Sequence, residues 1–172
     1  MFSKTVEDRT AKILTRIGAA ERVLSFTAFI VLIAVIFADV VSREVTGTGL
    51  HWARQAGVYA NLFVVMFGIG IASARGAHLR PRFADHWLPS AWEPALIRIQ
   101  EGLMALFCLS FAAVAALVVM DSYALGERSV VLRILIWPFQ AIIPLVFLIA
   151  AFRHGAYAAF ASLRPIEVEQ EA

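Results

Sequence analysis

Residues 102–120 read GLMALFCLSFAAVAALVVM, nineteen positions without one charged side chain. A helix of that length rises about 28 Å, close to the ~30 Å hydrocarbon core of a bilayer. Three further runs share the character: Val23–Ala38, Ala56–Ala74 and Ile134–Phe152. The first is shorter, but beyond Asp39 it continues through Val40, Val41 and Ser42. Water is a poor solvent for such surfaces. The expected fold is therefore all-α and integral to a membrane, with four transmembrane helices over 23–42, 56–74, 102–120 and 134–152.

With 60% hydrophobic and 16% charged residues in 172, the chain lies far from the soluble balance of roughly 25% charged. Removing the spans leaves short connections, a cytoplasmic or interfacial segment over 1–22 and a cytoplasmic tail over 153–172. A single membrane domain over 1–172 is expected. The pI near 9 accompanies a net charge of only +2, so no nucleic-acid partner is implied. The bilayer explains where the basic residues fall. With both tails and the second loop inside, eleven Lys and Arg face the cytoplasm and four face out, which orients the chain with both termini cytoplasmic. The first span reads as an uncleaved signal anchor, because it ends in Asp39–Arg43 rather than at a small-residue cleavage site.

Two interfacial helices are predicted. In residues 4–20, Val6, Ile13, Leu14 and Ile17 oppose Lys4, Arg9, Lys12 and Arg16, a pattern suited to a helix on an anionic lipid surface. In the second loop, Ser90 and Glu93 are spaced as a capping box. A helix from there to Met120 exceeds the bilayer core, with Gly102 the expected bend. Trp52, Trp87, Trp92 and Trp137 all fall at span ends or in the inner loop, where an amphipathic ring prefers to sit.

Catalytic motifs are missing, so no enzyme is expected. The lone Cys108 excludes an intrachain disulfide and reads as a small buried apolar residue. No haem is expected either, because His51, His78, His86 and His154 all lie outside the uncharged runs. The candidate contacts are thus few. Asn61 and Gln140 are amides at membrane depth, suited to hydrogen bonds between helices. Gly68 with Ala72 and Gly70 with Ala74 form two overlapping small-xxx-small pairs. Asp39, Arg43, Trp52, Arg54 and Trp137 form a candidate periplasmic-face set, with Asp39 and Arg43 spaced for a local ion pair. Pro144 is expected to kink the last span.

Order and spacing then point to a family. Leu50-His51-Trp52 precedes span two, Gly68-Ile69-Gly70-Ile71-Ala72 and Arg75-Gly76-Ala77-His78-Leu79 lie at its end, and Leu88-Pro89 follows. Ile134-Leu135-Ile136-Trp137-Pro138 and Ile143-Pro144-Leu145 complete the set in span four. Together they resemble the small membrane subunit, DctQ-type, of tripartite ATP-independent periplasmic (TRAP) transporters, over roughly residues 30–153. The resemblance implies a non-catalytic scaffold in a bacterial inner membrane, without cofactor or metal. Its implied partners are a large multi-span permease subunit, a periplasmic substrate-binding protein for organic anions, and membrane lipids. Two departures stand out. Arg54 and Gln55 replace an acidic pair common after the tryptophan, and Pro81 and Arg82 stand where an acid tends to follow the histidine. They keep open an accessory role in a respiratory or photosynthetic assembly.

Overall fold

The computed structural model describes residues 2–75 and 92–165. Helix α1 runs Phe2–Thr46, α2 Ala53–Ala74, α3 Glu93–Ala124, α4 Trp137–Gln140 and α5 Ile142–Ala159, followed by a 3-10 turn at Ala161–Leu163. Counting the stretch Trp137–Ala159 as one span despite its break at Ala141, the described residues hold four helices long and apolar enough to cross a membrane. They pair as hairpins, α1 along α2 and α3 along α5, and the hairpins meet through α2 and α5.

Helix boundaries follow local chemistry. Gly47 ends α1 with a positive φ of 72°, and its N–H returns to the Arg43 carbonyl at 3.0 Å. A glycine adopts that left-handed closure without a Cβ clash. Helix α3 starts with Pro94 in its first turn and runs through Gly102 without a break, so the bend expected there does not interrupt the helix. The last span breaks at Ala141. Pro144 has no N–H to offer the Gln140 carbonyl, and the neighbouring Leu145 N–H reaches the Ala141 carbonyl only at 3.4 Å. Residues 134–136 belong to the preceding loop, so the span begins at Trp137 and carries Arg153 and His154 within it.

Residues 4–20 are not a separate helix. They form the first turns of α1, continuous with the span, and Glu7 accepts a hydrogen bond from Ser162 beyond α5. The predicted second-loop helix start at Ser90, with His78, Pro81, Arg82, His86 and Trp87, lies outside the described residues.

Packing is inverted relative to a soluble bundle. From Gly18 onward the less exposed positions of α1 are Gly18, Glu21, Ser25, Ala28, Leu32, Val35, Asp39 and Ser42, alternately three and four apart as in a coiled-coil seam. Opposite them α2 buries Ala53, Gly57, Ala60, Phe67, Gly70 and Ser73. Large residues such as Phe37 (67% exposed) and Phe107 (58%) point away from the bundle. In hydrocarbon a large apolar side chain gains little by turning inward, so close backbone approach decides the seam. The small apolar core is Phe67, Ile142 and Val146, with Leu62, Phe63, Met66 and Ile143 packed against it.

Candidate functional site

Four of the most buried side chains, Glu21, Ser73, Arg153 and His154, are polar, and they gather at the end of the bundle opposite the interhelical loops at 47–52 and 125–136. Arg153 on α5 is 1% exposed and Glu21 on α1 is 3% exposed. An Arg153 guanidinium nitrogen lies 2.7 Å from Glu21 Oε2. Its other terminal nitrogen donates to the Gly70 carbonyl of α2 at 2.5 Å. The next residue, His154, adds α3 and a second contact to α2: Nδ1 lies 2.6 Å from Glu101 Oε2 on α3, and Nε2 lies 2.9 Å from Ser73 Oγ on α2. Both ring nitrogens are thus engaged, and which of them donates depends on the tautomer. Consecutive residues of α5 thus tie all four long helices together.

Gly70 makes this approach possible. A Cβ built there would stand 2.2 Å from Glu21 Oε1, so the carboxylate occupies the volume a side chain would fill. Glu21 Oε1 is buried without a hydrogen-bond partner among the described residues, and the pairing rests on Oε2. The chemistry is that of a clamp. Both ring nitrogens of His154 face protein groups, which leaves neither turned toward a haem iron. No group of three His, Cys, Asp or Glu among the described residues is arranged for a metal ion.

The expected small-residue pairs are divided by this geometry. Gly70 is at the heart of the clamp, whereas a Cβ on Gly68 would meet nothing within 4 Å. Ala72 and Ala74 are half-buried. The close approach to α1 continues through Ala53, Gly57 and Ala60 instead, and Gly57 faces Leu32. Asn61 is exposed on α2. Gln140 is half-buried, and its Oε1 has no partner among the described residues. Cys108 is buried on α3 beside Ala112, one turn on.

The opposite end is an open rim. Asp39 pairs with Arg43, one turn further along α1, and its Oδ1 accepts the Leu50 N–H at 2.7 Å. Gln55 Oε1 accepts two backbone N–H groups, from Val131 at 3.0 Å and Leu132 at 3.1 Å. One amide oxygen therefore holds the α3–α4 loop to α2. Trp137 meets Tyr123 edge-on at 5.5 Å, and Trp52 is half-buried. A cleft of about 670 Å³ opens between these groups, lined among others by Asp39, Arg43, His51, Arg54 and Gln55.

Residues 32–164 match the family described as the DctQ component of tripartite ATP-independent periplasmic transporters. The chain belongs to the DctQ family. It is the small membrane subunit of a TRAP transporter, a multi-pass membrane protein and not an enzyme. No curated protein matches the chain. In this DctQ subunit Gln55 has an internal use, since its amide oxygen holds Val131 and Leu132.

Reading the sequence left out the clamp. Its charges flank the uncharged runs: Glu21 and Glu101 just before spans one and three, Arg153 and His154 just after span four. With alternating spans these positions fall at one membrane level. Acids and bases gathered at one level were the available signal, hidden while each basic residue was counted only toward orientation.

Proposed function

We propose that this DctQ subunit is a fixed scaffold for the large permease subunit, which carries organic anions delivered by a periplasmic substrate-binding protein. Both termini face the cytoplasm of a bacterial inner membrane, and the open rim faces the periplasm. The observation that carries the reading is how buried polarity is used: Glu21, Ser73, Arg153 and His154 hold helices to one another, which suits a brace and leaves transport to a partner. The outward faces of α1, rich in Val, Ile and Phe, and of α3, rich in Leu and Phe, supply apolar area for the permease and for lipid. Gly68, open on one side, and exposed Asn61 are contacts for the permease, with Ala72 and Ala74 bordering them. Gln140, its Oε1 unpartnered, is a contact within the same interface. Asp39, Arg43, Trp52, Arg54 and Trp137 form the periplasmic face. The first turns of α1, with Lys4, Arg9, Lys12 and Arg16 exposed, meet anionic headgroups.

Affinity purification of the tagged chain from its native membrane in mild detergent tests the scaffold. Recovery of a multi-span permease is the expected result. A respiratory or photosynthetic complex in its place, or the chain alone, overturns it.

A further inference from the structure

Between α1 and α2, at the clamp end, lies a second groove of about 310 Å³. Arg22 and Arg75 stand at its mouth, and Phe26, Phe29, Val64 and Ile71 form its walls. We propose that this groove binds one anionic phospholipid, with its phosphate between the two guanidinium groups and an acyl chain against the aromatic wall.

Depth and charge support that occupant. Arg22 immediately precedes the uncharged run of α1, and Arg75 immediately follows that of α2. Both guanidinium groups therefore stand at headgroup level, while Phe26 and Phe29 lie one and two turns into the hydrocarbon. Neither guanidinium group has an ion pair or hydrogen bond among the described residues. The basic groove at the other end of the seam differs, because Asp39 there already neutralises Arg43. Two arginines present planar donor forks suited to phosphate oxygens, and basic pockets between transmembrane helices select anionic headgroups. The orientation proposed above sets which leaflet supplies the lipid; the chemistry of the groove does not depend on it.

The test uses the full chain reconstituted in vesicles of equimolar phosphatidylglycerol and phosphatidylcholine, re-extracted, and examined by native mass spectrometry. One retained phosphatidylglycerol is expected, preferred about 30-fold over phosphatidylcholine, as two arginines near the surface imply. Arg22→Gln or Arg75→Gln should each reduce the preference about fivefold, and the pair should abolish it. Replacing both by Lys should retain most of it, with helicity by circular dichroism confirming the fold. Arg43→Gln with Arg54→Gln removes equal charge from the other end and should leave the preference intact. Equal retention of the two lipids, or equal losses from the groove and rim variants, overturns the proposal.

Discussion

The two ends of this bundle are held by different physics. At the clamp end, Arg153 and Glu21 are stripped of solvent and reach across helices distant in sequence. At the rim, Asp39 and Arg43 sit one turn apart on one helix, and the Arg43 side chain is 60% exposed. A buried charge without its partner is costly, so the clamp enforces one arrangement of four helices. A surface ion pair is worth little, so the rim owes its shape to hydrogen bonds in which Asp39 and Gln55 oxygens hold the loop N–H groups of Leu50, Val131 and Leu132. One end is locked by side chains and the other is tied by loops.

Arg153→Ala is the severest challenge to this contrast. It leaves Glu21 buried and unpaired and removes a donor to the Gly70 carbonyl, so a loss of about 3–5 kcal/mol is expected. Thermal unfolding in detergent should show a larger drop than any single substitution at the rim. Changing both partners, Glu21→Leu with Arg153→Met, removes the unpaired charge and should recover most of the loss. A double variant no more stable than Arg153→Ala would mean that the ion pair itself, rather than the avoidance of an orphan charge, holds the end together.

Gly70→Ala comes next. The added methyl meets the Glu21 carboxylate, with Oε1 at 2.2 Å and Cδ at 2.6 Å from the built Cβ. Overpacking of this kind costs about 1–3 kcal/mol. Gly68→Ala is the matched control, since its Cβ meets nothing within 4 Å, and helix propensity should make it neutral or slightly stabilising. Equal melting shifts for the two glycines would break the assignment of the seam.

That pair also shows what could be read in advance. The spans were legible because exclusion of charge from hydrocarbon is a property of the chain taken one residue at a time. The inward face was not. Gly68 and Gly70 look alike in composition, yet two residues apart on a helix they point about 200° apart. Apolar periodicity, which finds the buried side of a soluble helix, has little to work on when both sides are apolar and the large residues face lipid. Glu21 was hidden for a related reason: beside Arg22 it resembles interfacial charge, and only the heptad spacing from Gly18 to Ser42 places it on the seam. Gln55 could be recognised as a departure from the family but not as a tie, because Val131 lies 76 residues further on.

Gln55→Leu tests the tie at the rim. It strands two loop N–H groups, but Val131 is exposed and water can replace the amide there, so about 1 kcal/mol is expected. Gln55→Glu should be close to neutral, because a carboxylate oxygen accepts the same two bonds. Hydrogen exchange at Val131 and Leu132 should rise in the first variant and stay unchanged in the second. Faster exchange in both would show that the amide group itself, rather than an acceptor at that point, is needed.

Asp39→Asn should have the smallest effect. It removes the ion pair with Arg43 but leaves Oδ1 to accept the Leu50 N–H, and a pair this exposed contributes about 0–1 kcal/mol. Asp39→Ala also removes the acceptor from the turn into α2 and should cost about 1 kcal/mol more. The order Asn above Ala in melting temperature separates the hydrogen bond from the charge. If Asp39→Asn lowered the melting temperature as far as Arg153→Ala, charge would be holding both ends, and the distinction between a locked end and a tied end would fail.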